Sequence, residues 1–195
     1  LVNPQGRLTS SHGHPHRETD SLPSINLGTE TTVNQLTTIE LSKEYLKFSA
    51  GHFTIFSATE RERLHGHNFA VSASIVAPVG DNGLCFSYGE FKQKLQSLCE
   101  KLDEYLILPE MSPYLEIEKK AHEYLVRFNG EEMRFLVSDT LVLPIRNATV
   151  EEFASYLLDQ LMQDSDIKHY DVRQIEMKVS SGPGQWGSCQ WVCPT

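Results

Sequence analysis

The chain has 195 residues, 39% of them apolar and 22% charged, which is enough apolar material for one cored domain and argues against wholesale disorder. Asp and Glu number 26 against 17 Lys and Arg, a formal charge of -9, the wrong balance for a protein that lives on phosphate backbones. No apolar run approaches the ~20 residues that span a bilayer, and no apolar stretch opens the chain as a secretory signal would.

Residues 1 to 36 are rich in Ser, Thr, Asn, Gly, Pro and His and carry no helical or strand period. They read as a flexible N-terminal tail. His12, His14 and His16 within it suggest metal, but a tract broken by Pro15 is not preorganised for one. A single domain is expected over 37–195. Leu46, Phe48, Ala50 and His52 alternate with Lys47, Ser49 and Gly51, the period-two pattern of a half-buried strand. A charged loop, Phe53 to Leu64, follows. His65, His67, Phe69, Val71, Ala73 and Ile75 then share one parity, predicting a second strand in an antiparallel hairpin.

Asp81-Asn82-Gly83 marks a turn, and Ser87 with Glu90 three places on predicts a capping box. Phe91, Leu95, Leu98, Leu102 and Leu106 recur at helical spacing, so the helix is expected to run to the prolines at 109 and 113. Residues 114 to 144 hold short apolar and charged runs around Asn129-Gly130, the signature of a β-hairpin excursion. Asn147 or Thr149 starts a second helix, with Phe153, Ala154, Leu157, Leu158 and Leu161 on one face. Ile175, Met177 and Val179 form a strand, broken at Gly182-Pro183-Gly184, with Trp186 to Val192 as its partner. Paired hairpins separated by helices predict an α+β fold with an antiparallel sheet.

Cys85, Cys99, Cys189 and Cys193 include no Cys-x-x-Cys pair. They are expected to be reduced thiols in a cytoplasmic setting.

The chemistry concentrates at His52, His65 and His67. Two imidazoles two residues apart leave the same face of a strand. If the hairpin forms, the end of the first strand lies beside the start of the second, and His52 joins them. Three protein ligands and an open position describe a catalytic rather than a structural zinc. A His-x-His pair alone is as compatible with ordinary surface or core histidines, and the third His is what points to a metal.

Phe48-Ser49-Ala50-Gly51-His52-Phe53 followed by Leu64-His65-Gly66-His67-Asn68-Phe69 resembles the 6-pyruvoyl-tetrahydropterin synthase and 6-carboxy-tetrahydropterin synthase family. Asp103 within Leu102–Leu106, Asn147-Ala148-Thr149-Val150-Glu151-Glu152 and Val179-Ser180-Ser181-Gly182-Pro183 resemble further segments of it, in order. The resemblance spans roughly residues 38 to 192. It implies the tunnelling fold, a four-stranded antiparallel sheet with two helices on one face. It also implies ring trimers or stacked hexamers with active sites between subunits. The cofactor would be Zn2+ on His52, His65 and His67. The implied substrate is 7,8-dihydroneopterin triphosphate, from which a lyase removes triphosphate to leave a 6-pyruvoyl- or 6-carboxy-pterin. Such products feed tetrahydropterin, folate or queuosine biosynthesis.

Three positions differ from the family pattern. Arg61 stands where the family usually has a catalytic Cys. Arg61-Glu62-Arg63-Leu64-His65 resembles a subgroup with a Glu three residues before the first His, associated with cleavage to a 6-hydroxymethyl-pterin. The catalytic role then falls to Glu62, with one charge in a solvated, salt-bridged loop as the alternative from the residues alone. Glu104 replaces the His of the family's Asp-His pair, so Asp103 and Glu104 are the implied proton relay. Ser181 replaces the glutamate that anchors the pterin edge, leaving Thr149, Glu151, Glu152 and Ser181 as the substrate-binding set. These differences raise two alternatives. One is a catalytically impaired zinc-binding member with a binding or scaffold role, and the other is a relative with a changed substrate.

Overall fold

The structure, a computed structural model, describes residues 35–194. The tail expected over residues 1–36, His12, His14 and His16 included, lies outside the described residues except for its last two.

The first strand, β1 (Leu36–His52), pairs antiparallel with β2 (His65–Pro78) along nearly its whole length. Ser42 lies opposite Ser72 but Lys47 lies opposite Ala70, so five steps along β1 match two along β2. The three extra residues form a bulge, and an odd insertion turns the strand over. Before it Leu41 faces the core, and after it Leu46, Phe48, Ala50 and His52 do. This parity break is why the alternation in the sequence becomes readable only at Leu46, although the strand begins ten residues earlier.

Helix α1 (Tyr88–Glu100) buries Phe91, Leu95 and Cys99. The capping box does not form: Ser87 holds the N-cap position without a side-chain cap, and Glu90 instead accepts the hydroxyl of Tyr170. The helix is also shorter than the apolar spacing predicts. Glu104 turns the chain with φ of 65°, and Tyr105–Pro109 becomes strand β3, parallel to β1. Two hydrogen bonds hold this turn. The Glu104 amide donates to the Ser49 carbonyl at 2.8 Å, and the Asp103 carboxylate accepts the Ser49 amide at 2.6 Å. Leu106 therefore keeps an apolar environment on a strand rather than on a helix.

The excursion is a separate antiparallel sheet of β4 (Glu116–Lys119), β5 (Glu123–Phe128) and β6 (Glu131–Leu136). Asn129 and Gly130 at φ 47° and 78° make the expected turn between β5 and β6. Strand β7 (Thr140–Leu143) then runs parallel to β3. Helix α2 (Val150–Gln163) follows Thr149 and buries every residue of its predicted apolar face. The chain closes with β8 (Gln174–Gly182) and β9 (Gln185–Val192).

The main sheet has the order β7-β3-β1-β2-β8-β9. Strands β1, β2, β8 and β9 form the expected four-stranded antiparallel sheet, and the short parallel pair β3 and β7 extends it to six. Both helices share one core with this sheet, around Phe48, Phe69, Phe91 and Phe153. A second, smaller core joins Phe53 and Ile55 of the loop after β1 to Leu108, Val126 and Phe128.

Strand β9 runs very close to the start of α2. A Cβ on Gly187 would lie 2.8 Å from both the Val150 carbonyl carbon and the Glu151 amide nitrogen. Both are backbone atoms and cannot swing aside. Gly187→Ala is therefore expected to destabilise the fold by about 1–3 kcal/mol, the usual cost of overpacking. A thermal scan showing an unchanged melting temperature would contradict this close approach.

Candidate metal centre

The β1–β2 register places His52 opposite His65 and Ala50 opposite His67. Strand alternation sends all three imidazoles to the core face. The rings stand together, with centroids 4.6 Å apart for His52 and His65, 4.8 Å for His65 and His67, and 5.3 Å for His52 and His67. Their ligand nitrogens lie within 4.8 Å of one another.

Hydrogen bonds select which nitrogen two of the three rings offer. Nδ1 of His52 donates to the Ala148 carbonyl at 2.7 Å, and Nδ1 of His65 donates to the Arg63 carbonyl at 2.8 Å. Both Nε2 atoms therefore carry lone pairs. Nε2 of His52 is buried without a partner. Nε2 of His65 and Nε2 of His67 approach to 3.0 Å. A shared proton or a cation between the two nitrogens accounts for so short an approach. In a tetrahedral site with imidazole nitrogens about 2.0–2.1 Å from the ion, neighbouring ligands stand about 3.4 Å apart. The orphaned Nε2 of His52 and the convergence of three imidazole nitrogens fit a divalent metal. Burial lowers the pKa of His52; the Ala148 contact opposes this, and neighbouring His65 and His67 reinforce it. The result favours the neutral ring that a ligand must be.

Glu62 lies at the rim of this group, its carboxylate 3.9 Å from Nε2 of His65. The Thr54 amide donates to the same oxygen at 3.0 Å. Burial pushes the Glu62 carboxyl up, but the Thr54 hydrogen bond and the imidazoles of His65 and His52 hold it below the usual carboxylate value. The three histidines and Glu62 border a cavity of about 320 Å³. Thr149, Glu151 and Ser181, expected from the sequence, line it too. So do Phe56 and Gln185, which carried no pattern in the sequence.

The other expected residues lie elsewhere. Glu152 is bound to Arg146, accepting its backbone amide at 2.8 Å and its Nε at 2.9 Å, and it borders a different depression. Asp103 is occupied by the Ser49 amide. Glu104 borders a second hollow with Asn68, Tyr105 and Asp139, which meets the first only at His67. Asn68 contacts Ser49 at 2.6 Å, on the strand face opposite the imidazoles. The four cysteines are free thiols, and no helix among the described residues is long and apolar enough to cross a membrane.

Two outcomes follow from this geometry. His65→Ala and His67→Ala should each abolish stoichiometric metal binding, read by elemental analysis, and full occupancy in either variant would refute the ligand set. The Glu152 carboxyl is pushed up by burial but held below its usual value by Arg146. Its stabilisation is complete above the unfolded carboxylate pKa and is lost as pH falls through the lower folded value. Wild type should therefore lose more stability than Glu152→Gln on acidification from about pH 5 to about pH 3. Parallel losses in denaturant titrations would show that the pair contributes nothing.

Comparison with known proteins identifies the family. The profile of the family described as 6-pyruvoyl tetrahydropterin synthase matches residues 40–190. The putative 6-carboxy-5,6,7,8-tetrahydropterin synthase of Methanocaldococcus jannaschii is 25% identical over 146 residues, covering 74% of this chain and 88% of that protein. The 6-pyruvoyl tetrahydropterin synthase of Plasmodium vivax superposes with a TM-score of 0.77 at 28% identity, covering 82% of this chain and 99% of that one. The Plasmodium falciparum enzyme gives 0.77 at 29% identity, with 82% and 100% covered. The profile match over residues 40–190, in a fold that covers 82% of this chain in the Plasmodium structures, places the chain in the 6-pyruvoyl tetrahydropterin synthase family.

Proposed function

We propose that the protein is a zinc-dependent lyase acting on 7,8-dihydroneopterin triphosphate, releasing triphosphate and modifying or cleaving the pterin side chain. The observation that carries this reading is the Glu62 carboxylate held 3.9 Å from Nε2 of His65, at the edge of three converging imidazoles. A solved Plasmodium vivax relative is a variant with alanine at a catalytic glutamate, which supports the same role for Glu62.

Nε2 of His52, His65 and His67 would hold the zinc ion. Bound there, zinc supplies Lewis-acid polarisation of the substrate's side-chain hydroxyls. The chain's own residues do the rest. Glu62 is ionised and its orientation is fixed by the Thr54 amide, so it acts as the base that removes a proton from the side chain. Thr149, Ser181 and Gln185 offer hydroxyl and amide groups to the polar edge of a pterin, and Glu151 offers an acceptor. Glu104 and Asp103 lie outside this cavity, so its lining gives a relay through them no support. Strands β7 and β9 are the edges of the main sheet among the described residues, which suits the sheet-to-sheet assembly that this reading includes. The free thiols suit a cytoplasmic protein.

Ser181 favours a second reading. It places a hydroxyl where a carboxylate would give a bidentate, charge-assisted contact to a guanidine-like edge. A relative with a changed substrate, or one that binds without turnover, fits that substitution. Binding titrations with pterins and purines separate these cases.

Incubating the zinc-loaded protein with 7,8-dihydroneopterin triphosphate should give triphosphate and a pterin of altered side chain, identified by mass spectrometry. Recovery of untouched substrate would sink the lyase reading. Glu62→Gln should lower turnover by about 10²–10⁴-fold, the range for loss of a positioned base, at unchanged zinc content.

A further inference from the structure

Glu62 sits on a loop, Phe53 to Leu64, whose two arms meet at an isolated bridge between Ile55 and Arg61. A loop carboxylate that acts as a base must be held within a fraction of an ångström, and loop backbone alone holds poorly. The bulky neighbour of Glu62 does not turn toward the metal cavity. The guanidinium of Arg61 lies 5.1 Å from the ring centroid of Phe53 and 5.6 Å from that of Phe128. Its Nη1 donates to the Glu62 carbonyl at 2.9 Å, and its Nη2 stands 3.6 Å from the Glu131 carboxylate. The Arg61 side chain is only 19% exposed.

Phe128 ends β5 and Glu131 opens β6, so Arg61 reaches the tip of the Asn129-Gly130 hairpin. The loop's apolar residues follow it. Phe53 and Ile55 are buried in one core with Leu115, Val126 and Phe128. A guanidinium flanked by two rings is a rigid, oriented donor, unlike a mobile surface charge. Its hydrogen bond falls on the carbonyl of the residue whose side chain faces His65.

We propose that Arg61 is a positioning residue and that the three-stranded sheet, through its hairpin tip, is the platform that holds Glu62 at His65. The inference rests on the role assigned to Glu62 above. It gives the excursion from the main sheet a function: the chemistry sits on the β1–β2 loop, and the support for that loop comes from residues more than sixty positions later.

The test compares Arg61→Met and Phe128→Leu, each alone and combined with Glu62→Gln. Both single variants should lower kcat by about 10-fold or more at little-changed KM, with metal content intact. In the Glu62→Gln background neither should lower it further, because the residue being positioned is already disabled. A purely structural contribution would lower activity equally in both backgrounds, and that result, or full kcat in both single variants, overturns the proposal. Phe128→Leu keeps the comparison informative if Arg61→Met does not fold. A second readout needs no turnover. In the full chain as purified, both variants should speed amide exchange at Thr54, Ile55 and Glu62 while leaving the paired β1 and β2 residues around Phe48 and around Phe69 protected. Unchanged exchange at those three amides also overturns the proposal. Absence of turnover in wild type, with the exchange result as expected, would instead count against the lyase reading alone.

Discussion

The pairing of Phe48 with Phe69, Ala50 with His67 and His52 with His65 is the constraint on which the site depends. A slip of one residue along β2 would send its imidazoles to the opposite face. Stacked Phe48 and Phe69, with ring centroids 5.0 Å apart and nearly parallel planes, oppose such a slip. Phe153 of α2 closes over both rings edge-on. Three aromatic side chains with essentially no exposure thus fix the register one turn of pleat away from the three imidazoles. The histidines themselves need contribute little to folding, because the adjoining core has already decided where they point.

Much of this was legible in the residues. The parity of His65 through Ile75 gave the second strand and its inward face, and the helical spacing of Phe153 through Leu161 gave α2. The turn at Asn129-Gly130 followed from the positive φ that both positions require. Other features were hidden for physical reasons. The first half of β1 was obscured because a bulge of three residues reverses its inward parity. The end of α1 was misplaced because Leu102 and Leu106 keep helical spacing while the Asp103 and Glu104 contacts to Ser49 break the helix. Propensity and period do not report a hydrogen bond to a strand fifty residues earlier.

The candidate site divides the same way. The three imidazoles share one strand pair and so left a local signal. Glu62 left one by its distance from His65. Phe56 and Gln185 left none, since each enters the cavity from a segment whose position is set by tertiary contacts. Glu152 shows the opposite case. It stands three residues after the N-cap Thr149 and beside Glu151 in sequence, yet helical geometry turns it to Arg146 instead of the cavity. Adjacent residues on a helix face about 100° apart, so only one of the two acids can serve a given pocket.

The loop that carries Glu62 is held from two sides. The Asn147 side chain accepts the Ile55 amide at 3.0 Å and donates to the Ile55 carbonyl at 2.8 Å, pairing with the loop as a strand would. The next residue, Ala148, supplies the carbonyl that fixes the His52 ring. One dipeptide just before α2 thus orients one of the three imidazoles and anchors the loop that bears the carboxylate. Its own placement depends on β9, whose Gly187 lets the strand press against Val150 and Glu151. The geometry of imidazoles and carboxylate is therefore not a property of the hairpin alone. It exists only when β1, β2, the head of α2 and β9 are docked together, which ties order at the site to completion of the main core.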